Sequence, residues 1–206
     1  MGNGTVRDRL RGIGTWCGLA APAVGLGTVL LATLFAPWFS WTGNALSDLG
    51  HPSRATAPLF NGGMALAGLL ALAFAVRLWI DAEGWVRRGA LIVLAASFAS
   101  LVGVGAYPET TGLHFTVSVA FFVSLTYGLW LHGSADALAD APERGVATIW
   151  LGIANVTGWV LYAALEPFEG VAIPEAVGAV ALAAWAVPTA LRLRRSYENP
   201  LSPGGR

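Results

Sequence analysis

The chain has 206 residues, 55% of them hydrophobic and 12% charged, and its twelve basic and twelve acidic side chains leave no formal net charge. An ordinary soluble domain is less apolar than this, so the composition points to a lipid bilayer as solvent. Zero net charge, with no basic stripe interleaved with aromatics, argues against nucleic acid as a partner, and the lone Cys17 excludes an intrachain disulfide or a cysteine metal cluster.

A spanning helix needs roughly 20 mainly apolar residues, so the gaps between charges mark the elements. The first gap, Gly12 to Ser47, predicts a helix at about 14–37. The preceding RDRLR suggests a secretory leader, but the run is longer than a signal core and lacks a small-x-small cleavage site, so it reads as a retained helix. The polar stretch GNALSDLGHPSR follows. Asn44 is expected to cap a short turn there, Gly50 to end it in a left-handed conformation and Pro52 to hold His51 extended. The gap Ala55 to Val76 predicts a second helix at about 56–79, Gly89 to Pro108 a third at about 88–107, and Thr110 to Ala135 a fourth at about 113–132. GSADALADAPER reads as a solvated loop. Gly145 to Leu165 predicts a fifth helix at about 145–165. The sixth, at about 173–192, comes from Ala176 to Leu191 extended backwards, which places Glu175 near the interface. Residues 193–206 read as a poorly ordered cytoplasmic tail.

The expected fold is therefore all-α: one domain over 1–206, a polytopic integral membrane bundle of six transmembrane helices with a short re-entrant or interfacial turn between helices one and two. Gly14 with Gly18, and Gly63 with Ala67, have the spacing that lets helix backbones approach closely. No internal repeat supports an inverted-repeat transporter. With a cytoplasmic N-terminus, Arg54 is the one arginine of twelve on the outer side. The positive-inside rule then predicts a cell (inner) membrane protein with both termini cytoplasmic.

Polar residues converge on the outer ends of these helices. Asn44, Ser47, Asp48, His51 and Arg54 lie in the first connection, Asn61 opens helix two, Glu109 and His114 flank the connection from helix three to four, and Glu166 ends helix five. Asn155, Trp159, Tyr162 and Glu166 follow one helical face. An unsatisfied amide in hydrocarbon costs several kcal/mol, so these faces are expected to enclose a polar cavity, with Trp38, Trp41, Tyr107, Tyr162 and Phe168 as aromatic walls.

The run Ser47-Asp48-Leu49-Gly50, then Leu59-Phe60-Asn61, then Gly103-Val104-Gly105-Ala106-Tyr107-Pro108 with His114 after it, resembles the prokaryotic membrane family catalogued as domain of unknown function 998. Tyr107 stands where a phenylalanine is expected. The resemblance implies a six-helix integral membrane protein without an established activity. A more distant likeness in layout to Frag1/DRAM/Sfk1-type membrane proteins hints at lipid-related roles.

Three functional readings follow. The first is binding of a lipid or lipid-like amphiphile from the membrane, with Asn44, Asp48, His51, Arg54, Asn61, Glu109, His114, Asn155, Tyr162 and Glu166 around the ligand and Arg54 as partner for a phosphate or carboxylate. The second is a metal-dependent hydrolase acting on a lipid, in which Asp48, His51 and His114 hold a divalent metal such as zinc and Ser47 polarises the substrate. No H-E-x-x-H motif fixes such a site. The third is a proton-coupled small-solute transporter using Asp48, His114 and Glu166, although no ladder of ionisable groups continues toward the inner face. Set against all three, each residue has a plain structural task, pinning a non-helical loop whose backbone groups would otherwise face lipid.

Overall fold

The computed structural model describes residues 3–198. Six α-helices follow in order: α1 Asn3–Leu34, α2 Ala57–Ile80, α3 Trp85–Ala106, α4 His114–Leu138, α5 Pro142–Leu165 and α6 Ala172–Glu198. A short 3₁₀ helix, Leu46–Gly50, lies between α1 and α2. All six α-helices contain a stretch long and apolar enough to cross a membrane, and no strand occurs among the described residues. Consecutive helices pack against one another and α1 closes against α6, so the helices form a ring in chain order.

Helix ends differ from expectation for identifiable reasons. α1 starts at Asn3 rather than near residue 14, because its charged first turns find partners on α2: Arg7 donates to the Ile80 carbonyl at 3.3 Å and Arg11 to Asp81 at 2.6 Å. It stops at Leu34, short of Pro37, which disfavours helical geometry at the residue before it. The expected solvated loop GSADALADAPER is largely helical: α4 continues to Leu138 because Asp136 is buried and ion-paired to Arg87 at 2.8 Å. α5 then starts at Pro142, a residue whose missing N–H costs nothing in a first helical turn. α6 runs on to Glu198, so the expected tail does not begin at 193; residues 199–206 lie outside the described residues.

The glycine spacings are used at the α1–α2 interface. A Cβ on Gly14 or Gly18 would strike Arg77 or Phe74 of α2, and one on Gly63 would strike Thr28 of α1. These contacts bring the two backbones close, as small residues permit in membrane helices. One apolar cluster centres on Phe74, Leu91, Leu94, Phe98, Leu125 and Trp185 in the ring's interior. A second gathers Leu46, Leu49, Phe60 and Val104 beneath the 3₁₀ helix.

Ionic side chains collect at the two ends. At the end shared by the described termini, which we call the terminal end, buried Arg77 binds Asp81 and donates to Thr15. Burial alone would raise the Asp81 carboxyl, but hydrogen bonds from Arg11 and Arg77 outweigh it and hold it below its ordinary value. The other end carries the 3₁₀ helix.

Candidate functional site

At the 3₁₀ end the backbone must turn without a regular ladder, and side chains supply the missing partners. Asn44 does not cap the turn from in front. Its amide donates to Asp48 at 2.7 Å while its oxygen accepts the Ser40 N–H at 2.9 Å. Asp48 reaches back to accept the Ala45 N–H at 3.1 Å, and so caps the turn itself. Gly50 is not left-handed; it is needed because a Cβ there would strike Asn61 and Phe60. Asn61 donates to the Gly50 carbonyl at 2.9 Å and Thr56 to that of Leu49 at 2.7 Å, which ties the turn to α2. His51 is extended before Pro52, as expected.

The loop before the 3₁₀ helix also joins the start of α6. Gly170 donates to the Thr42 carbonyl at 2.8 Å and Ala172 to that of Asn44 at 2.9 Å. The approach leaves no room for a Cβ on Gly170 against the Asn44 backbone. This docking carries Glu175, which the sequence places at an interface, under the turn, where its carboxylate accepts the Leu46 N–H at 2.6 Å.

Glu109 enters from the α3–α4 connection. Its carboxyl lies close enough to that of Asp48 to share a proton, and 3.8 Å from His51 Nε2. Burial, then the neighbouring Asp48, push the Glu109 carboxyl up to about 7 against the opposing pull of Arg54. His114 opens α4, is buried, and has both ring nitrogens engaged: Nδ1 lies 2.7 Å from the Tyr107 carbonyl and Nε2 3.3 Å from Ser118 Oγ. Asp48, Glu109 and Glu175 therefore form an acidic group with His51 and His114 at its margins.

A groove of about 660 Å³ opens from this group. Ser47, Glu109, Thr111, His114 and Glu175 line its polar end. Phe115, Phe122, Tyr127, Trp130 and Trp159 line the rest, following one face of α4 and the facing side of α5. A second cavity of about 90 Å³ lies inside the ring, bounded by α1, α2, α3, α4 and α6.

The family model described as a protein of unknown function, DUF998, matches residues 19–192, which reach into all six helices. The chain belongs to that family. The chain is also 37% identical over 101 residues to Protoheme IX farnesyltransferase 1 of Natronomonas pharaonis; that alignment covers 47% of this chain and 22% of the relative. The chain thus spans about a fifth of that relative's length. No solved structure matches it.

In this DUF998 protein the expected site residues separate into two groups. Asn44, Ser47, Asp48, His51, Glu109 and His114 share the 3₁₀ end, Asn61 anchors it from α2, and Glu109 lines the same groove as His114. Arg54 is stacked 3.9 Å over the Trp38 ring and does not line the groove, although its charge still acts on Glu109. Asn155 is buried elsewhere, donating to Phe122 and Thr126 across the α4–α5 interface. Tyr162 reaches the Glu169 carbonyl at 3.4 Å, and exposed Glu166 ends α5 in a left-handed conformation. None of the five expected aromatic walls lines the groove.

The geometry adds no support to the metal reading: among the described residues no three His, Cys, Asp or Glu side chains are grouped to hold a metal, and His114 Nδ1 faces the Tyr107 carbonyl while Nε2 lies 3.3 Å from Ser118 Oγ. Sequence reasoning missed Glu175 and Ser118 at the site. A carboxylate in the sixth apolar run was the available signal for Glu175, and the four-residue spacing from His114 was the signal for Ser118.

Proposed function

We propose that this protein binds a lipid-like amphiphile in the groove along α4, with the head group among Glu109, His114, Ser47 and Glu175 and the chain against Phe122, Tyr127, Trp130 and Trp159. The observation that carries the reading is the division of one groove into a short polar end and a long apolar remainder. The acids favour a head that donates hydrogen bonds over one bearing phosphate, which two or three carboxyl groups would repel. With Arg54 held on Trp38, the phosphate contact expected from sequence loses its cation.

The similarity to a protein named for farnesyl transfer agrees with a long apolar chain as occupant, but it covers too little of that protein to carry a transfer reaction here. A hydrolase has no metal-binding group to work with among the described residues.

The test is direct. Lipids extracted from the purified chain should include a species bound at about one per chain, and Val119→Trp, which narrows the groove from its exposed side, should deplete it without altering helical content. Equal lipid content in both proteins would remove the groove as the binding site.

A further inference from the structure

Charge is sorted by end. Among the described residues Arg54 is the one arginine at the 3₁₀ end, beside Asp48, Glu109, Glu166, Glu169 and Glu175, and the other arginines stand at the terminal end. Most of those have a partner: Arg11 and Arg77 meet Asp81, Arg87 meets Asp136, Arg88 lies over the Trp79 ring and Arg7 donates to a carbonyl. Arg144 and Arg192 differ from them. Arg192 donates to the hydroxyl of buried Thr189 at 3.0 Å, one turn back along α6, which holds its guanidinium in against the bundle instead of out in water. That bond uses one of several N–H donors. Arg144 is brought near by the α4–α5 contact: Gly145 lies against the Gly133 carbonyl and the Ala137 amide with no room for a Cβ, so the residue before it sits beside the Asp136 end of α4. The charges of Arg144 and Asp136 both act on Arg192. Asp136 is already paired to Arg87, and among the described residues no ion pair joins Arg144 or Arg192 to Asp140, Glu143 or any other acid. Two guanidiniums from neighbouring helices thus lie within each other's field with unused donors, which suits an anion with several acceptor oxygens.

The seam between α5 and α6 shows what carries that anion. Leu151 lies seven residues from Arg144, and Ala181 and Val177 lie eleven and fifteen from Arg192, so each arginine shares a helical face with residues deeper in the membrane. Those three residues, with exposed Ala154 and Val180, line an open and almost wholly apolar furrow of about 420 Å³. Between furrow and arginines stand Ala147, Ala184 and Pro188, all exposed and small, so the seam stays shallow and open to lipid. At 1.5 Å per residue the furrow begins about 10 Å from Arg144 along α5 and about 16 Å from Arg192 along α6. Half of a bilayer core is about 15 Å. A chain hanging from a head group at the two arginines therefore reaches Leu151 and Ala181.

We infer that the α5–α6 seam binds an anionic phospholipid, with its phosphate between Arg144 and Arg192 and an acyl chain running along the seam into the furrow. The phosphate oxygens accept from both guanidiniums and keep two like charges apart. A zwitterionic head brings its own cation toward the arginines and gains less, and a free phosphate has no chain for the furrow. The site lies at the opposite end from the acidic group and does not depend on the groove along α4.

The test uses the full-length chain, purified in detergent and stripped of co-purified lipid. Dioleoyl phosphatidylglycerol, dioleoyl phosphatidylcholine and inorganic phosphate are the probes, and native mass spectrometry counts the bound lipid. Phosphatidylglycerol is expected to bind at about one per chain and roughly tenfold more tightly than phosphatidylcholine. Arg144→Gln and Arg192→Gln should each weaken it about fivefold, while Ala154→Phe, which fills the furrow from an exposed position, should weaken both lipids alike. Arg9→Gln, which removes an exposed arginine at the same end, should leave the preference in place. Arg144 is itself exposed, so its variant carries the test if Arg192→Gln does not fold. Equal binding of the two lipids, or an equal loss in Arg9→Gln, would overturn the site in favour of general charge attraction. Displacement of phosphatidylglycerol by inorganic phosphate, with Ala154→Phe without effect, would overturn the lipid as occupant and leave a free anion in its place.

Discussion

Glu109 is a residue whose chemistry changes sharply between the unfolded and folded chain. Its carboxyl rises from an ordinary value of 4.5 to about 7 because it is partly buried and beside Asp48. The groups facing it are Asp48 from the 3₁₀ helix, His51 and Arg54 from the loop that follows, and Glu175 from α6, with His114 on the same groove. A raised acid makes the folded state the better proton acceptor, so its contribution is present below the unfolded value and is lost as pH rises through the folded one. Stability is therefore expected to fall between about pH 5 and 8. Because Glu109 is only partly buried, solvent screening keeps the swing to about 1 kcal/mol, or roughly 2–4 °C in midpoint for a chain of this size. Thermal unfolding in detergent across that range should show the decline in the wild type and a flatter profile in Glu109→Gln. An unchanged slope in the variant would mean that another group governs it.

At the scale of the helices, much was legible in the sequence and some was not. Charge-free runs located six helices because a bilayer core admits few ionisable groups, and their length is set by its thickness. The ends were harder to read. Asp136 sits in a stretch that looks like a solvated loop, and its pairing with Arg87 of α3, 49 residues away, supports the helix there. The polar turn was readable as a cluster, since six polar residues in twelve stand out in such a chain. Its partner Glu175 was not, because a 129-residue separation joins it to Leu46. Nor did composition single out the closest contact between α4 and α5, where a Cβ on Gly145 would strike the Gly133 carbonyl and the Ala137 amide, and one on Gly133 the Gly145 carbonyl. Backbone cannot yield there as a flexible side chain would. Gly145→Ala is thus expected to cost about 1–3 kcal/mol by forcing the helices apart, whereas Gly89→Ala, which meets open space on α3, should be near neutral. Denaturation midpoints of the two variants, measured side by side, check the contrast.

Across the whole molecule, the ionisable side chains of the described residues collect at two ends, and the middle holds neutral polar groups such as Asn155 and Thr126. The 3₁₀ end holds Asp48, Glu109 and Glu175; the terminal end holds Arg11, Arg77 and Asp81 on one side and Arg87, Asp136 and His132 on the other. Between them, Phe74, Leu91, Leu94, Phe98 and Leu125 are almost wholly buried and pack into one cluster. Among the described residues no chain of ionisable groups links the acids at one end to the ion pairs at the other, and moving a bare charge through such a layer is expensive. The inner cavity does not supply a relay, because an apolar space of its size stays dry. A middle of this kind opposes the passage of a bare charge. Proteoliposomes carrying the purified chain, given a pH gradient and a pH-sensitive dye inside, are therefore expected to hold that gradient as long as protein-free vesicles do. Faster collapse that disappears with Asp48→Asn or Glu175→Gln would show that the acidic group connects to a path through the ring, and the division into two isolated ends would have to be given up.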